Sequence, residues 1–262
     1  MKFNIEEYIS GSDSICREER QYALFLNNIL LSIGGKLRRG ESLKAEESAI
    51  LDACGLSGAV HISRVFYEAA FMRDIFDRLN DSCFFNRNLL DYIRKRWELR
   101  IVPGDVLKLP VSFKGRNGKE YEKRLSDIQL GRVGEKKVGK IKASEDEKKA
   151  LNMARAMMNS KPDLAVIYRR GGAESFLRFI ECKYTSPERG DEVKQTEAQE
   201  WIAHFLCDEE HGLLRDIRVE EGNAAEERDP SRLVRFSCEE SNVKENIIPI
   251  STLIDLNAGL FQ

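Results

Sequence analysis

The sequence lacks several features that would assign it to a well-defined class of protein. Its six cysteines are scattered and none forms a Cys-x-x-Cys pair, so neither a zinc site nor a disulfide framework is indicated. The three histidines show none of the mutual spacings that metal sites use. A phosphate-cradling Gly-x-x-x-x-Gly-Lys-Ser/Thr segment is also missing, which argues against an ATP-driven motor in this chain.

Long apolar runs are missing as well. The first residues contain no signal-peptide apolar region, and the most apolar stretch, residues 22 to 33, is interrupted by Asn27 and Asn28 and is too short to span a bilayer. We therefore expect a cytoplasmic protein with no membrane partner. Hydrophobic residues make up 42% of the 262 and charged residues 33%, a composition that favours a folded chain over a disordered one.

Charge is unevenly distributed along the chain, although its formal sum is only -2. Residues 87 to 142 are rich in lysine and arginine, whereas acidic pairs such as Glu220-Glu221 and Glu239-Glu240 recur in the last quarter. This asymmetry can lay a basic surface against phosphate groups. It is equally consistent with two solvated faces.

Apolar periodicity predicts a mostly helical N-terminal region, residues 1 to 100. Apolar residues recur at spacings of three and four, the signature of a helix with one buried face. The predicted helices cover residues 16 to 33, about 44 to 80, and about 87 to 98. Gly34-Gly35 is expected to close the first of them.

The pattern changes over residues 101 to 262, where short apolar strands alternate with helices. Asn117-Gly118 is the preferred two-residue hairpin turn and follows an alternating apolar run. The predicted hairpin has a basic tip of Lys114, Arg116 and Lys119, which either contacts nucleic-acid phosphates or forms a solvated turn. Further helices are predicted over residues 145 to 158 and 191 to 207, and a strand over residues 233 to 236.

A second hairpin is predicted where two apolar runs, residues 164 to 168 and 176 to 180, surround a glycine turn. If this hairpin is symmetric about Gly172, position 163 pairs with position 181. Directly paired residues of an antiparallel ladder point to the same face, and side chains repeat every two residues. Asp163, Glu181 and Lys183 are therefore expected to converge at one end of the hairpin.

Such a convergence has chemical consequences. Two carboxylates about 4 Å apart repel by about 4 kcal/mol at an effective dielectric of about 20, so they must share a proton, bind a cation or gain other partners. Hard oxygen ligands favour Mg²⁺ or Mn²⁺. An ion held there could polarise a phosphodiester and activate its attacking water, while Lys183 holds that water or the phosphate.

The order Pro162-Asp163, seventeen intervening residues, then Glu181-Cys182-Lys183 resembles the PD-(D/E)xK nuclease superfamily. The resemblance covers residues 161 to about 207. It implies a restriction-endonuclease-like α/β core, a mixed β-sheet flanked by helices, in which Asp163 and Glu181 bind Mg²⁺ and Lys183 is the motif lysine. By the same resemblance residues 101 to 262 form the nuclease core, and a homodimer is allowed because cutting both strands requires two sites.

The tripeptide alone is weak evidence in a chain this charged, because acid-x-Lys begins at five positions. Only the tripeptide at Glu181 ends an apolar strand, and Pro162-Asp163 is the one Pro-Asp pair in the sequence. A catalytic interpretation stands beside two alternatives, a structural salt bridge and a retained fold without activity.

Other residues are candidates for completing the site. Gln195 and Gln199 lie four apart on one helix face, and some members of the superfamily contact the site with a glutamine there; the alternative is an ordinary polar helix face. Many members also supply an acid from the first core helix, for which Glu19 and Glu68 are candidates. The expected function is a Mg²⁺-dependent DNA endonuclease of the restriction or phage-defence type. The alternatives are a repair or recombination nuclease and an inactive nucleic-acid-binding protein.

Overall fold

The computed structural model describes residues 19–78, 82–98, 112–114, 120–122, 145–184, 191–214, 216–220, 230–238, 240 and 242–261. These residues form a mixed α/β protein with seven α-helices and a six-stranded mixed sheet that does not close on itself. The helices are α1 (Glu19–Arg39), α2 (Ala45–Ala53), α3 (Phe71–Arg78), α4 (Ser82–Arg96), α5 (Glu145–Asn159), α6 (Asp191–Cys207) and α7 (Ile250–Ala258), followed by a 3-10 turn at Gly259–Phe261. The strands are β1 (His61–Tyr67), β2 (Ser112–Lys114), β3 (Glu120–Glu122), β4 (Leu164–Arg169), β5 (Ser175–Tyr184), β6 (Ile217–Arg218), β7 (Ser231–Ser237) and β8 (Ile247–Pro249).

The main sheet has the order β1-β4-β5-β7-β8, and β6 pairs with β5 beside this path. Strands β1, β4 and β5 are antiparallel neighbours, whereas β7 runs parallel to β5 and β8 parallel to β7. The β4–β5 register pairs Leu164 with Ile180 and Tyr168 with Phe176. This register confirms the predicted hairpin about Gly172, and its continuation by one step sets position 163 opposite position 181.

The two faces of the sheet have different environments. Leu164, Val166 and Tyr168 are fully buried and belong to a hydrophobic core that also includes residues of α1, α2 and α7. Because side chains alternate along a strand, the intervening positions of β4, including Ala165 and Arg169, belong to the opposite face. The candidate site lies on that opposite face.

Helix α1 is longer than predicted. It continues through Gly34 and Gly35 to Arg39, so the expectation that the two glycines close it was wrong. A Cβ on Gly34 would lie 3.2 Å from the Cβ of Ile62 in β1, so the glycine lets the helix approach the strand closely. The helix ends before Gly40, which adopts a positive φ of 69°.

The single helix predicted over residues 44 to 80 was also wrong. The structure has a short helix α2, the strand β1 and a second helix α3 there. Gly55 and Gly58 have φ angles of +68° and +69°, which end the helical path after α2. The residues after them pair with β4, a strand about a hundred residues later, and this pairing overrides the local periodicity.

The other element predictions are confirmed where the structure describes them. Helices α4, α5 and α6 and strand β7 lie where the sequence pattern placed them. Strands β2 and β3 pair in a register that pairs Ser112 with Glu122 and Lys114 with Glu120. The turn of that hairpin and residues 106 to 111 lie outside the described residues.

The chain divides into two compact units. The first comprises residues 1–69, 162–203 and 216–262 and contains the six-stranded sheet; the second comprises residues 70–161 and 204–215. The second unit has its own aromatic core, in which the Phe85 ring packs edge-on against Phe76 and Phe205 at centroid distances of 5.7 and 6.0 Å. The predicted division at residue 100 rests on the change in apolar periodicity and stays a prediction. Over the described part of the chain, no helix is both long and apolar enough to cross a bilayer.

Candidate active site

Asp163 lies immediately before β4 and is tied to both neighbouring strands. Its backbone carbonyl accepts a hydrogen bond from the Glu68 N–H at 2.8 Å, just after β1 ends. Its carboxylate Oδ2 accepts one from the Cys182 N–H of β5 at 2.7 Å. The side chain is therefore held against the backbone between Glu181 and Lys183.

Glu181 is a buried carboxylate with two side-chain partners. The residue is 2% exposed, Oε1 lies 2.9 Å from Lys183 Nζ, and Oε2 accepts a hydrogen bond from Gln199 Nε2 at 2.7 Å. A buried carboxylate without partners costs several kcal/mol, and the contacts with Lys183 and Gln199 offset that cost. Lys183 retains 18% exposure of its side chain and can reach a ligand from the same position.

Strand geometry puts these groups on the sheet face opposite the hydrophobic core. Phe179 pairs with Ala165, and Glu181 and Lys183 follow Phe179 at steps of two residues. The continued register places Asp163 on that same face. Two contacts connect the three residues. Glu181 forms an ion pair with Lys183, and the Asp163 carboxylate accepts a hydrogen bond from the backbone N–H of Cys182, which lies between them.

Gln199 links the site to a third element of the fold. It lies in α6, is fully buried, and accepts a hydrogen bond on Oε1 from Ser231 Oγ at 2.7 Å. Since the serine donates to the amide oxygen, the amide nitrogen is left pointing at Glu181. The structure brings Gln199 to the site, whereas Gln195 lies one turn earlier in α6 and its side chain lies outside the described residues.

Ser231 is a site residue that sequence reasoning missed. It begins β7 and pairs with Phe179, two residues before Glu181 in β5. Its contact with Gln199 joins positions 32 residues apart. Nothing in the local pattern of a serine after a proline indicates such a contact.

Of the two candidate acids in the N-terminal region, Glu68 lies close to the site. Its backbone bonds to Asp163, and its φ of +47° is uncommon for a residue with a side chain. Burial raises the pKa of the Tyr67 hydroxyl, and the Glu68 and Asp163 carboxylates raise it further, so both charges act on that hydroxyl. Glu68 also pairs with Arg20 at 3.3 Å. The side chain of Glu19 lies outside the described residues.

Cys182, the middle residue of the tripeptide, has a different environment. It is fully buried on the core side of the sheet. Burial raises the pKa of its thiol well above the ordinary value, and the Asp163 carboxylate acts in the same direction. The thiol is therefore protonated at neutral pH, which excludes it as a thiolate nucleophile.

The donor set fits a hard divalent cation. Asp163 and Glu181 each offer carboxylate oxygens, which are hard ligand atoms. Carboxylate oxygens are the ligands that Mg²⁺ and Mn²⁺ prefer. These two residues are accordingly the ones that would hold such an ion.

The predicted nucleic-acid contacts of the first hairpin stay a prediction. Lys114 is the last residue of β2, and its side chain lies outside the described residues, as do Arg116 and Lys119 in full.

A second cluster of potential ligands lies in the other unit. Ligand atoms of Asp91, Glu210 and His211 fall within 4.8 Å of one another. His211 Nε2 lies 3.0 Å from Asp91 Oδ2, and its Nδ1 lies 2.8 Å from Asp208. Lys95 Nζ lies 2.5 Å from Glu210 and 3.2 Å from Asp91. Lys95 therefore already supplies a cation to this cluster, and a metal ion would have to displace it.

This second cluster predicts a loss of stability in acid. Burial raises the pKa of Asp91, but hydrogen bonds from His211, Arg94 and Lys95 lower it more, to about 2 from 3.8. A carboxyl whose folded pKa is depressed contributes stability above its unfolded pKa, and that contribution is lost as the pH falls from about 4 to about 2. Urea unfolding between pH 2 and 5 should show this loss, and Asp91→Asn should have a flatter profile. Equal pH slopes for the two proteins would contradict the assignment.

Comparisons with protein-family models, with curated proteins and with solved structures find no match to this chain. What the site does must therefore follow from its own residues.

Proposed function

We propose that this protein is a Mg²⁺-dependent nuclease that hydrolyses phosphodiester bonds of DNA at the Asp163, Glu181 and Lys183 cluster. One observation carries the proposal: the Asp163 carboxylate is bonded to the backbone between a buried glutamate and its lysine partner. A restriction-endonuclease-like core is part of the proposal. A mixed sheet with α1 and α7 on one face and α6 on the other supports it.

Asp163 and Glu181 would hold the cation. When bound, Mg²⁺ supplies a Lewis acid for the phosphoryl oxygen and lowers the pKa of a water molecule. Asp163 contributes a carboxylate fixed by a backbone N–H, so it needs little reorganisation to act as a ligand. Glu181 contributes one whose orientation is set by Gln199.

Lys183 has the role of a cationic donor. Its ammonium group neutralises Glu181 in the absence of substrate and is partly exposed. A phosphodiester arriving at the cluster offers oxygens that can accept its N–H groups, as does the attacking water. Its positive charge then stabilises the negative charge that develops in the phosphorane-like transition state.

The experiment is a cleavage assay with purified protein on supercoiled plasmid, linear duplex and single-stranded DNA, with RNA as a fourth substrate, in Mg²⁺ and in EDTA. The proposal expects DNA products that appear only with the metal. Discrete fragments would indicate a restriction or phage-defence enzyme, and trimming from ends would indicate a repair or recombination nuclease. Retained DNA binding without products on any substrate would contradict catalysis and favour a binding protein of the same fold.

Ser231 is expected to affect metal use without contacting the metal. Ser231→Ala removes the donor that orients the Gln199 amide, so the amide oxygen can turn towards Glu181 and repel it. Outer hydrogen-bond partners of metal ligands typically contribute 10- to 100-fold in metal affinity or activity. We expect the half-saturating Mg²⁺ concentration for cleavage to rise about 10-fold or more, measured by metal titration of the initial rate.

Two variants control this prediction. Ser231→Thr keeps a hydroxyl and should stay close to the natural protein. Ser237→Ala removes a buried serine from the far end of the same strand and should leave the Mg²⁺ dependence unchanged. The positioning role would be wrong if Ser231→Ala and Ser237→Ala had the same Mg²⁺ dependence.

A further inference from the structure

A group of basic side chains lies at the β1 edge of the main sheet, and we name Arg38, His61, Arg64 and Arg169 the edge-strand basic patch. His61 of β1 pairs directly with Arg169 of β4. Arg64 follows in β1 opposite Ile167, after a bulge at residue 63. Arg38, near the end of α1, donates a hydrogen bond from Nη1 to the Ile62 carbonyl at 3.3 Å, which places its guanidinium beside β1.

The positive charges of this patch are not compensated by acidic neighbours. Arg38, Arg64 and Arg169 form no ion pair with an acidic side chain in the part of the chain that the structure describes, and Arg38 and Arg64 are exposed. The arginines next to them in sequence differ. Arg39 pairs with Glu41, and Arg170 pairs with Glu220 at 2.8 Å.

His61 responds to the charges around it. Burial lowers the pKa of its imidazole, and the nearby charges of Arg169 and Arg38 lower it further. The side chain is therefore mostly neutral at pH 7 in the free protein. A polyanion on the patch would screen the two arginines and raise this pKa, which gives a local readout of occupancy.

His61, Arg64 and Arg169 belong to the same sheet face as the candidate active site, and Arg38 reaches β1 from α1. Arg169 and Asp163 are six positions apart, an even number, along β4 and the residue before it. Because side chains alternate between the two faces of a sheet, these two lie on the same face. Arg64 is on that side too, because its pairing partner Ile167 lies between them. At about 3.3 Å per residue the patch lies roughly 20 Å from Asp163.

We propose that the edge-strand basic patch binds the phosphate backbone of the nucleic acid whose phosphodiester is cleaved at Asp163, Glu181 and Lys183. This inference rests on the proposed function for the identity of the ligand. Each nucleotide of a duplex strand advances about 3.4 Å, so a distance of roughly 20 Å corresponds to about six nucleotides from the bond that is cut. Arginine suits this contact because its planar fork matches phosphate geometry.

The experiment measures duplex binding by fluorescence anisotropy without divalent cations, over a series of salt concentrations. The triple variant Arg38→Gln, Arg64→Gln, Arg169→Gln should bind a 30-base-pair duplex at least about 10-fold more weakly than the natural protein. Neutralising about three phosphate contacts should also reduce the slope of log K against log salt by about 2 to 3. In the natural protein, NMR should show the pKa of His61 rising on addition of the duplex.

A matched control removes three other exposed cations, Lys44, Arg218 and Lys244, by the same change to glutamine. It alters the formal charge equally and should leave the salt slope within about 0.5 of the natural value. Three results would each overturn the inference. The natural protein and the triple variant could have equal salt slopes, the two variants could lose equal amounts of duplex affinity, or the natural protein could fail to bind the duplex. Loss of binding to anionic lipid vesicles but not to DNA in the triple variant would do the same.

Cleavage assays on the same proteins separate this inference from the proposed function. Natural protein that binds the duplex through the patch but never cleaves in Mg²⁺ would end the nuclease proposal and leave the patch as a nucleic-acid surface. If the natural protein cleaves DNA but the salt slope of the triple variant is unchanged, the role of the patch is overturned and the nuclease proposal stands.

Discussion

Lys183→Ala and Asp163→Ala should each lower Mg²⁺-dependent DNA cleavage by about 10³-fold or more, with the fold retained. Removing one preorganised donor to a transition state typically costs 10²- to 10³-fold, and removing a metal ligand adds the loss of bound cation. Asp163 and Lys183 retain some exposure and do not lie in the hydrophobic core, so alanine leaves no large apolar cavity at either position. In Lys183→Ala the buried Glu181 carboxylate still accepts the hydrogen bond from Gln199. Initial rates on supercoiled plasmid, with circular dichroism spectra and thermal unfolding of each variant, measure both effects.

The control for Lys183 is Lys244→Ala, which removes an exposed lysine paired with Glu240 on a different part of the same unit. Surface ion pairs of this kind contribute about 0 to 1 kcal/mol, so cleavage and stability should both stay close to those of the natural protein. Full activity in either Asp163→Ala or Lys183→Ala would refute the catalytic assignment. Partial activity in Glu181→Gln would not refute it, because glutamine keeps one oxygen that can bind the metal.

Gly55→Ala should produce a large loss of stability. Gly55 has a φ of +68°, and a Cβ there would lie 2.1 Å from Arg178 Nη1. Arg178 cannot move away cheaply: it is 1% exposed and pairs with Glu220 at 3.1 Å, to which Tyr168 also donates at 2.7 Å. A left-handed backbone costs a residue with a Cβ about 1 to 2 kcal/mol, and overpacking adds about 1 to 3 kcal/mol.

The expected total for Gly55→Ala is about 2 to 5 kcal/mol, measured by urea unfolding at pH 7. Gly58→Ala is the matched control, because Gly58 has nearly the same φ, +69°, and a Cβ there would meet nothing within 4 Å. It should cost only the backbone part, about 1 to 2 kcal/mol. If the two variants lost equal stability, the close packing of Arg178 against Gly55 would not be a determinant of the fold.

The candidate site was predictable as far as it depends on local pairing. The apolar runs on either side of Gly172 are short, and a tight turn fixes their register, so the position of Asp163 relative to Glu181 follows from sequence alone. The helix after the tripeptide was equally clear. The sequence left open whether Gln195, Gln199 or neither meets the site, and the structure brings Gln199 to Glu181.

The parts that failed depend on partners distant in sequence. The residues of β1 have a periodicity compatible with a helix, and only pairing with β4 makes them a strand. Helix α1 passes through two glycines because Ile62 packs against Gly34, a contact between elements that no local pattern encodes. The contact of Ser231 with Gln199 and the edge-strand basic patch could not be predicted for the same reason. Each brings together residues that are distant in sequence and meet only in the folded sheet.

The most direct test of the account is a crystal structure of the protein soaked in Mn²⁺, read from the anomalous scattering of the metal. We expect a peak between Asp163 and Glu181, with carboxylate oxygens of both residues at about 2.1 to 2.2 Å, and its disappearance in Asp163→Ala crystals soaked in the same way. A single peak at Asp91, Glu210 and His211, with nothing beside Asp163, would contradict it.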